Sequence, residues 1–239
     1  MGLAQTGVTD VLLFQMPGLF SNWAKLDSAR NALKDEFNKA FEAKGFTVGG
    51  WGDVGAAKTM TVGFEVHHPA DLKGKACFFI AGDTVQPALF SGIGGITPKQ
   101  VLVNEILPGL GSGTITVVVA PPLAAEQLQW ASRITHISSQ TFGFGVGALI
   151  FSTPRLNSIP QALRDTLLSS GNDMNARLTS SIRNLDAQAY ARMKSSKQAY
   201  DLSDGEKKEW SDLFARVRAG LRGTAFTPGM FDRVTQLAQ

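Results

Sequence analysis

The sequence predicts an α/β fold, and three observations carry that prediction. Between residues 11 and 152, short runs of near-continuous apolar residues alternate with helically spaced ones. Runs of that kind belong to strands covered on both faces, and their alternation with helices belongs to layered α/β structure. Beyond Pro154 such runs stop and only helical spacing remains, and the chain of 239 residues, 44% hydrophobic and 18% charged, is long enough to bury a core.

In chain order, the expected strands are VLLF (11–14), FTVGGW (46–51), ACFFIA (76–81), TITVVVA (114–120) and VGALIF (146–151). Between the first two, Trp23, Leu26, Ala29, Leu33, Phe37 and Phe41 recur every three or four residues, one face of a helix that Gly45 is placed to end. TPKQVLVNEIL (97–107) opens on Thr97 and Pro98, a good cap and first-turn pair, and predicts a helix broken by Pro108 and GLGSG. Met174, Leu178, Ile182, Leu185, Ala189 and Met193 form one stripe of a long amphipathic helix that needs an apolar surface to lie against. Ser203 with Glu206 three residues on is a capping box, leading a helix that carries Trp210, Leu213, Phe214, Val217 and Leu221 to Gly223. Thr227 and Pro228 start a last helix through Phe231, Val234 and Leu237.

Charge and cysteine usage exclude several classes of function. A net charge of +3 comes from 23 basic and 20 acidic residues with no basic run that would track a phosphate backbone, so nucleic acid is not an expected partner. No window is apolar over the eighteen or so residues of a membrane span, and MGLAQTGVTD lacks the charged start and apolar centre of an export signal. The single cysteine, Cys77, excludes an internal disulfide and a cysteine metal cluster, and its apolar run predicts an inert buried thiol.

Catalysis has no visible carrier in the sequence. The glycine clusters GIGGI (92–96), GLGSG (109–113) and GFGVG (143–147) read as turn glycines, since GLGSG follows a helix and opens a strand, the reverse of a nucleotide loop. His67 and His68 point apart on a strand and His136 stands alone, so no metal and no cofactor is expected. Asp53 and Glu105 are the acids set in apolar, glycine-bounded stretches; a hydrogen-bonded structural role is expected for both, with acid or base catalysis in an α/β enzyme as the alternative.

Four blocks then occur in an informative order: LLFQMPGLF, AKGFTVGGWGDVGAAKTMT, HPADLKGKACFFIAGD and VNEILPGLGSGTITVVVAPPLAAEQL. Together they resemble the consecutive motifs of the solute-binding proteins of TRAP (tripartite ATP-independent periplasmic) transporters, over roughly residues 8 to 170. The resemblance implies a two-lobed periplasmic-binding-protein-like fold with a helical C-terminal region, a periplasmic location, a small-molecule solute held between lobes, and delivery to membrane permease subunits. It further implies that residues 1–70 form part of the first lobe, 71–153 the second lobe with the crossover strands, and 154–239 helices packed across both. Met1 falls where the family's opening βαβ portion would already have ended, so the first lobe is expected to be incomplete.

The departures from the family pattern concern the ligand. The family's carboxylate-clamping arginine falls on Phe78, a second arginine falls on Ala57 with Lys58 beside it, and the D-G pair becomes Thr116 and Val117. A guanidinium grips a carboxylate in a bidentate way that an aromatic ring cannot. The expected ligand is therefore a largely apolar or lipid-like solute, lined by Phe20, Trp51, Asp53, Phe78, Gln86, Val119, Pro121, Phe142 and Phe144, with Lys58 at the cleft rim as the one route for an acid headgroup. Phe78 filling a collapsed cleft is the alternative, and a small organic acid held by Lys58 and backbone groups is a second reading of the ligand.

Overall fold

A computed structural model describes residues 2–239; Met1, on which the reading of the chain's start rests, lies outside the described residues. Its organising feature is a pair of long strands, β1 (Phe46–Thr61) and β5 (His136–Ser152), antiparallel along nearly their whole length. They lie within one six-stranded sheet whose other members are short: β2 (Ala76–Phe79), β3 (Thr97–Gln100), β4 (Val117–Ala120) and β6 (Gln198–Tyr200), in the order β3-β2-β4-β1-β5-β6. Only the last four residues of β1, Lys58 to Thr61, pair with β4, and β2 and β3 extend the sheet in parallel from there. The first half of β1 instead packs on α1 (Trp23–Ala43). The two long strands thus cross between two lobes, and buried apolar residues fall into two clusters, a larger one that joins α1 and the N-terminal segment to Cys77, Val85, Leu89 and Phe90, and a smaller one around Phe78, Ile106, Val118 and Trp130.

Helix α1 forms for the reasons its sequence gives. The Asn22 side chain accepts the amide of Lys25 at the start, Leu26, Ala29, Leu33, Phe37 and Phe41 are buried on one face, and Gly45 leaves the helix with φ of 81°. The C-terminal third is helical as expected, with α5 (Thr153–Asn157), α6 (Gln161–Ser196), α7 (Asp204–Leu221) and α8 (Pro228–Leu237), interrupted only by β6. The capping box at α7 is present in both directions: Ser203 Oγ accepts the Glu206 amide and Glu206 Oε2 accepts the Ser203 amide. Between β2 and β5 lie the helices α2 (Val85–Ile93), α3 (Val103–Ser112) and α4 (Pro122–Gln127).

Four local expectations are corrected. VLLF is not a strand but the centre of a 3-10 helix, Thr9–Gln15, whose Val11, Leu12, Leu13 and Phe14 are fully buried; a short apolar run does not separate strand from buried helix by periodicity. Thr97 and Pro98 do not cap a helix but open β3, an edge strand, where the missing amide of proline costs no ladder bond. Helix α3 starts later, at Val103, and runs through Pro108 to Ser112, with the Asn104 carbonyl left without its usual amide donor.

The stripe expected on α6 is the fourth correction. Met174, Leu178 and Leu185 are exposed by 44%, 46% and 41%, whereas Gly171, Asn175, Asp186, Ala189 and Met193 face the protein. The strand beneath α6 is the glycine-rich part of β1, which presents backbone rather than side chains, so small and polar residues make the contact. Any side chain on Gly171 would meet the Gly49 carbonyl, its Cβ falling 2.7 Å from that oxygen. The apolar stripe is rotated outward by this requirement for close approach.

Candidate functional site

The carboxyl ends of β2 and β4, the usual place for a ligand on an open α/β sheet, open onto a cavity of about 610 Å³. Phe78 and Ile80 reach it from β2 and the residues after it, and Val119 and Pro121 from the end of β4. The crossing strands supply the opposite wall. Phe142, Phe144, Val146, Ala148 and Ile150 occupy every second position of β5, the period that puts residues on one face of a strand. From β1 come Val54 and Ala57, and from the N-terminal segment Leu12 and Gln15. Phe78 does not stand alone: its ring meets Trp130 edge-on, centroids 6.3 Å apart and planes at 67°.

Six of the expected ligand residues, Phe78, Gln86, Val119, Pro121, Phe142 and Phe144, are brought together around this cavity. The other four are not, and each has a different task. Phe20 is buried in the main hydrophobic cluster. Trp51 donates its indole N–H to Asn38 Oδ1 at 2.9 Å and packs against Phe14, Phe37 and Phe41. Asp53, its carboxylate wholly buried, is held at 2.6 Å by both Arg30 Nη1 and Arg183 Nε. Lys58 donates from Nζ to the Ser139 carbonyl and to Thr141 Oγ1, and its ammonium lies 4.6 Å from the centre of the Tyr190 ring, away from the cavity lining.

Charge is therefore concentrated behind the crossing strands. Arg183 of α6 pairs with Asp27 of α1 as well as with Asp53, and its guanidinium lies 4.3 Å from the Trp23 ring centre. Burial works to raise the Asp27 carboxyl, but the hydrogen bonds and charges of Arg183 and Arg30 hold it below the ordinary range. Asp186, buried on the same helix, accepts the amides of Ala56 at 2.8 Å and Leu123 at 2.9 Å, and burial pushes its pKa up. Burial likewise pushes Lys58 down to about 8, against the opposing pull of Asp186. Gly55, at φ of 136°, lets this seam close: a Cβ there would sit 2.6 Å from Pro121 Cβ and 2.7 Å from Asp186 Cγ.

The remaining candidates have structural partners. Glu105 Oε2 accepts the Leu102 amide at 2.6 Å at the start of α3. His67 and His68 sit on the surface against Glu65, Glu206 and Glu209, and His136 Nδ1 is 2.7 Å from Thr135 Oγ1. Cys77 is 2% exposed, and burial pushes its thiol up to about 12, so its chemistry is suppressed. The cluster GFGVG forms no turn; it lies inside β5 and its glycines flank the cavity. Sequence reasoning missed Ile80, Trp130, Asp83 and Gln15. The alternation across GFGVGALI was the available signal for the β5 wall, masked by its glycines.

Two lobes joined by two long crossing strands, with a cavity between strand ends, define a solute-binding receptor. The chain belongs to the bacterial extracellular solute-binding protein family 7, whose model matches residues 3–220. No curated protein of similar sequence was found. Solved structures share the fold. The sugar acid binding protein from Advenella mimigardefordensis in complex with galactonate superposes with a TM-score of 0.88 at 16% identity, over 96% of this chain and 74% of that one. A TRAP periplasmic solute-binding protein from Ralstonia eutropha with bound (S)-2-acetolactate gives 0.87 at 16% identity, covering 96% and 74%. One from Shewanella oneidensis with bound succinate gives 0.86 at 17% identity, covering 97% and 75%. Among the described residues, no helix is long and apolar enough to cross a membrane.

Proposed function

We propose that this chain is the periplasmic solute-binding component of a TRAP-type transport system and that it binds a largely apolar solute in the cavity between its lobes, for delivery to membrane permease subunits. The observation that carries the reading is the lining: Phe78 stands where the family's arginine is expected, no lysine or arginine is among the lining residues, and aromatic and aliphatic side chains form most of the wall. A carboxylate buried there without a cationic partner would cost several kcal/mol. Each buried methylene contributes about 0.8 kcal/mol, so six supply roughly 5 kcal/mol before ordering costs. In this reading residues 1–70 contribute to one lobe, 71–153 to the second lobe and the crossing strands, and 154–239 pack across both. The protein acts by holding and releasing its ligand rather than by chemistry, a reading supported by the structural use of Asp53 and Glu105.

A small organic acid is the second reading, favoured by the galactonate, acetolactate and succinate of the solved relatives. Its weakness here is the position of Lys58, whose ammonium is engaged behind the strands. Calorimetry against succinate, sialic acid, long-chain fatty acids and sterols separates the two. We expect a fatty or sterol ligand to bind and succinate to give no heat. In a Phe78→Arg variant, succinate binding should appear while fatty ligand affinity falls about a hundredfold. Tight succinate binding by the unaltered protein overturns the apolar reading.

A further inference from the structure

The cavity is long for its volume. Its wall on β5 runs from Phe142 through Phe144, Val146 and Ala148 to Ile150, and a strand rises about 3.4 Å per residue, so the run spans roughly 27 Å. The ladder beneath agrees, since Thr141 lies opposite Lys58 and Ile150 opposite Val48, near the start of β1. At its Phe142 end the cavity takes in the ends of β4 and β2, because Lys58 pairs with Ala120 on its other side. A round cavity of 610 Å³ would be only about 10 Å across, so this one is drawn out to more than twice that length.

No charge interrupts the long part. Residues Ile137 to Ser152 include neither an acid nor a base, and the one charged lining residue, Asp83, stands just before α2 at the other end. Side chains two positions apart on a strand are about 7 Å apart, so a compact solute about 10 Å wide covers two of the five β5 side chains and leaves the rest to water. An extended solute covers all five. Resting on the apolar reading above, we infer that the solute is a single extended hydrocarbon chain laid along β5, of the acyl or prenyl kind, rather than a compact or fused-ring body. Carbon–carbon bonds of about 1.52 Å meeting near 111° advance such a chain about 1.25 Å per carbon, so the β5 run accepts about twenty carbons. Ala148, the smallest of the five, is the point where a larger side chain would close the path.

Intrinsic tryptophan fluorescence, with Trp130 in the lining, reads the binding of straight 1-alkanols of about eight to sixteen carbons and of cyclododecanol. Affinity should rise about threefold with each added carbon across the whole series, the effect of one buried methylene less the cost of ordering it. At equal carbon count, 1-dodecanol should bind about tenfold tighter than cyclododecanol, whose carbons are gathered into a ring. Ala148→Trp should leave 1-octanol affinity unchanged, which also shows the variant to be folded, and should end the gain before sixteen carbons. The series on the unaltered protein decides the matter without the variant. Cyclododecanol binding as tightly as 1-dodecanol, a gain that stops by ten carbons in the unaltered protein, or an unchanged series in folded Ala148→Trp overturns the extended chain along β5 while leaving the apolar reading standing. Failure of every alkanol and of cyclododecanol to bind overturns both.

Discussion

The two faces of β1 differ in kind: one lines the cavity and the other is packed with charge. On one face Val54 and Ala57 look into the cavity, whose lining holds no lysine or arginine. On the other, their immediate neighbours Asp53 and Lys58 are buried among Arg30, Arg183, Asp186 and Tyr190. A strand turns successive side chains to opposite sides, so one residue step separates the two environments. What the contrast teaches is a division of labour: polar groups fix α1 and α6 to the crossing strand, and the solute face is left to shape and apolar contact.

The sharpest way to break that division is to remove charge from the helix side. Asp53→Ala leaves Arg30 buried and strips Arg183 of one of its two carboxylate partners, which should cost about 3–5 kcal/mol of stability in denaturant unfolding. Apolar probe affinity of the folded fraction should not change, because Asp53 does not line the cavity.

A smaller effect comes from titrating Lys58. Its folded pKa, pushed down to about 8, lies below the 10.5 of the free side chain, so between those values the unfolded chain binds more protons and stability rises with pH. Comparing unfolding of the unaltered protein with that of Lys58→Met, the difference should move in favour of the unaltered protein by about 2 kcal/mol from pH 8 to pH 10. A difference that stays flat over that range would show that the ammonium is not suppressed by burial.

The mildest change in stability belongs to the solute face. Val54 is 44% exposed, so Val54→Asp should alter unfolding by about 0.5 kcal/mol or less. The same substitution places a charge in the cavity wall and should lower affinity for an apolar probe about tenfold. Adjacent residues 53 and 54 would then give opposite results in the same two assays.

How legible this was in the sequence follows the same physics. Helices α1, α7 and α8 were legible because their apolar spacing, caps and stop residues agree with one another. The stripe on α6 misled, since a hydrophobic period predicts what a helix could bury, while the glycine backbone of β1 decided what it did bury. VLLF misled because four apolar residues carry no period. Of the site, the residues at the ends of β2 and β4 were readable from motif position, and Phe142 and Phe144 from their place near the crossing strand. Trp51, Asp53 and Lys58 share a strand with lining residues and are not themselves in the lining. Four register shifts in β1, between Val48 and Gly50, Asp53 and Gly55, Ala57 and Lys58, and Lys58 and Met60, reset the alternation that a straight strand would have obeyed.

The suppressed thiol of Cys77 has a practical consequence. It is the chain's one cysteine, and in the folded state it is both covered and almost wholly protonated at neutral pH. Maleimide and iodoacetamide dyes react with thiolates, so they find no native target. A cysteine placed at Val54 becomes the single addressable position on the protein, and an environment-sensitive fluorophore attached there turns solute entry into an optical signal without any need to remove the native residue.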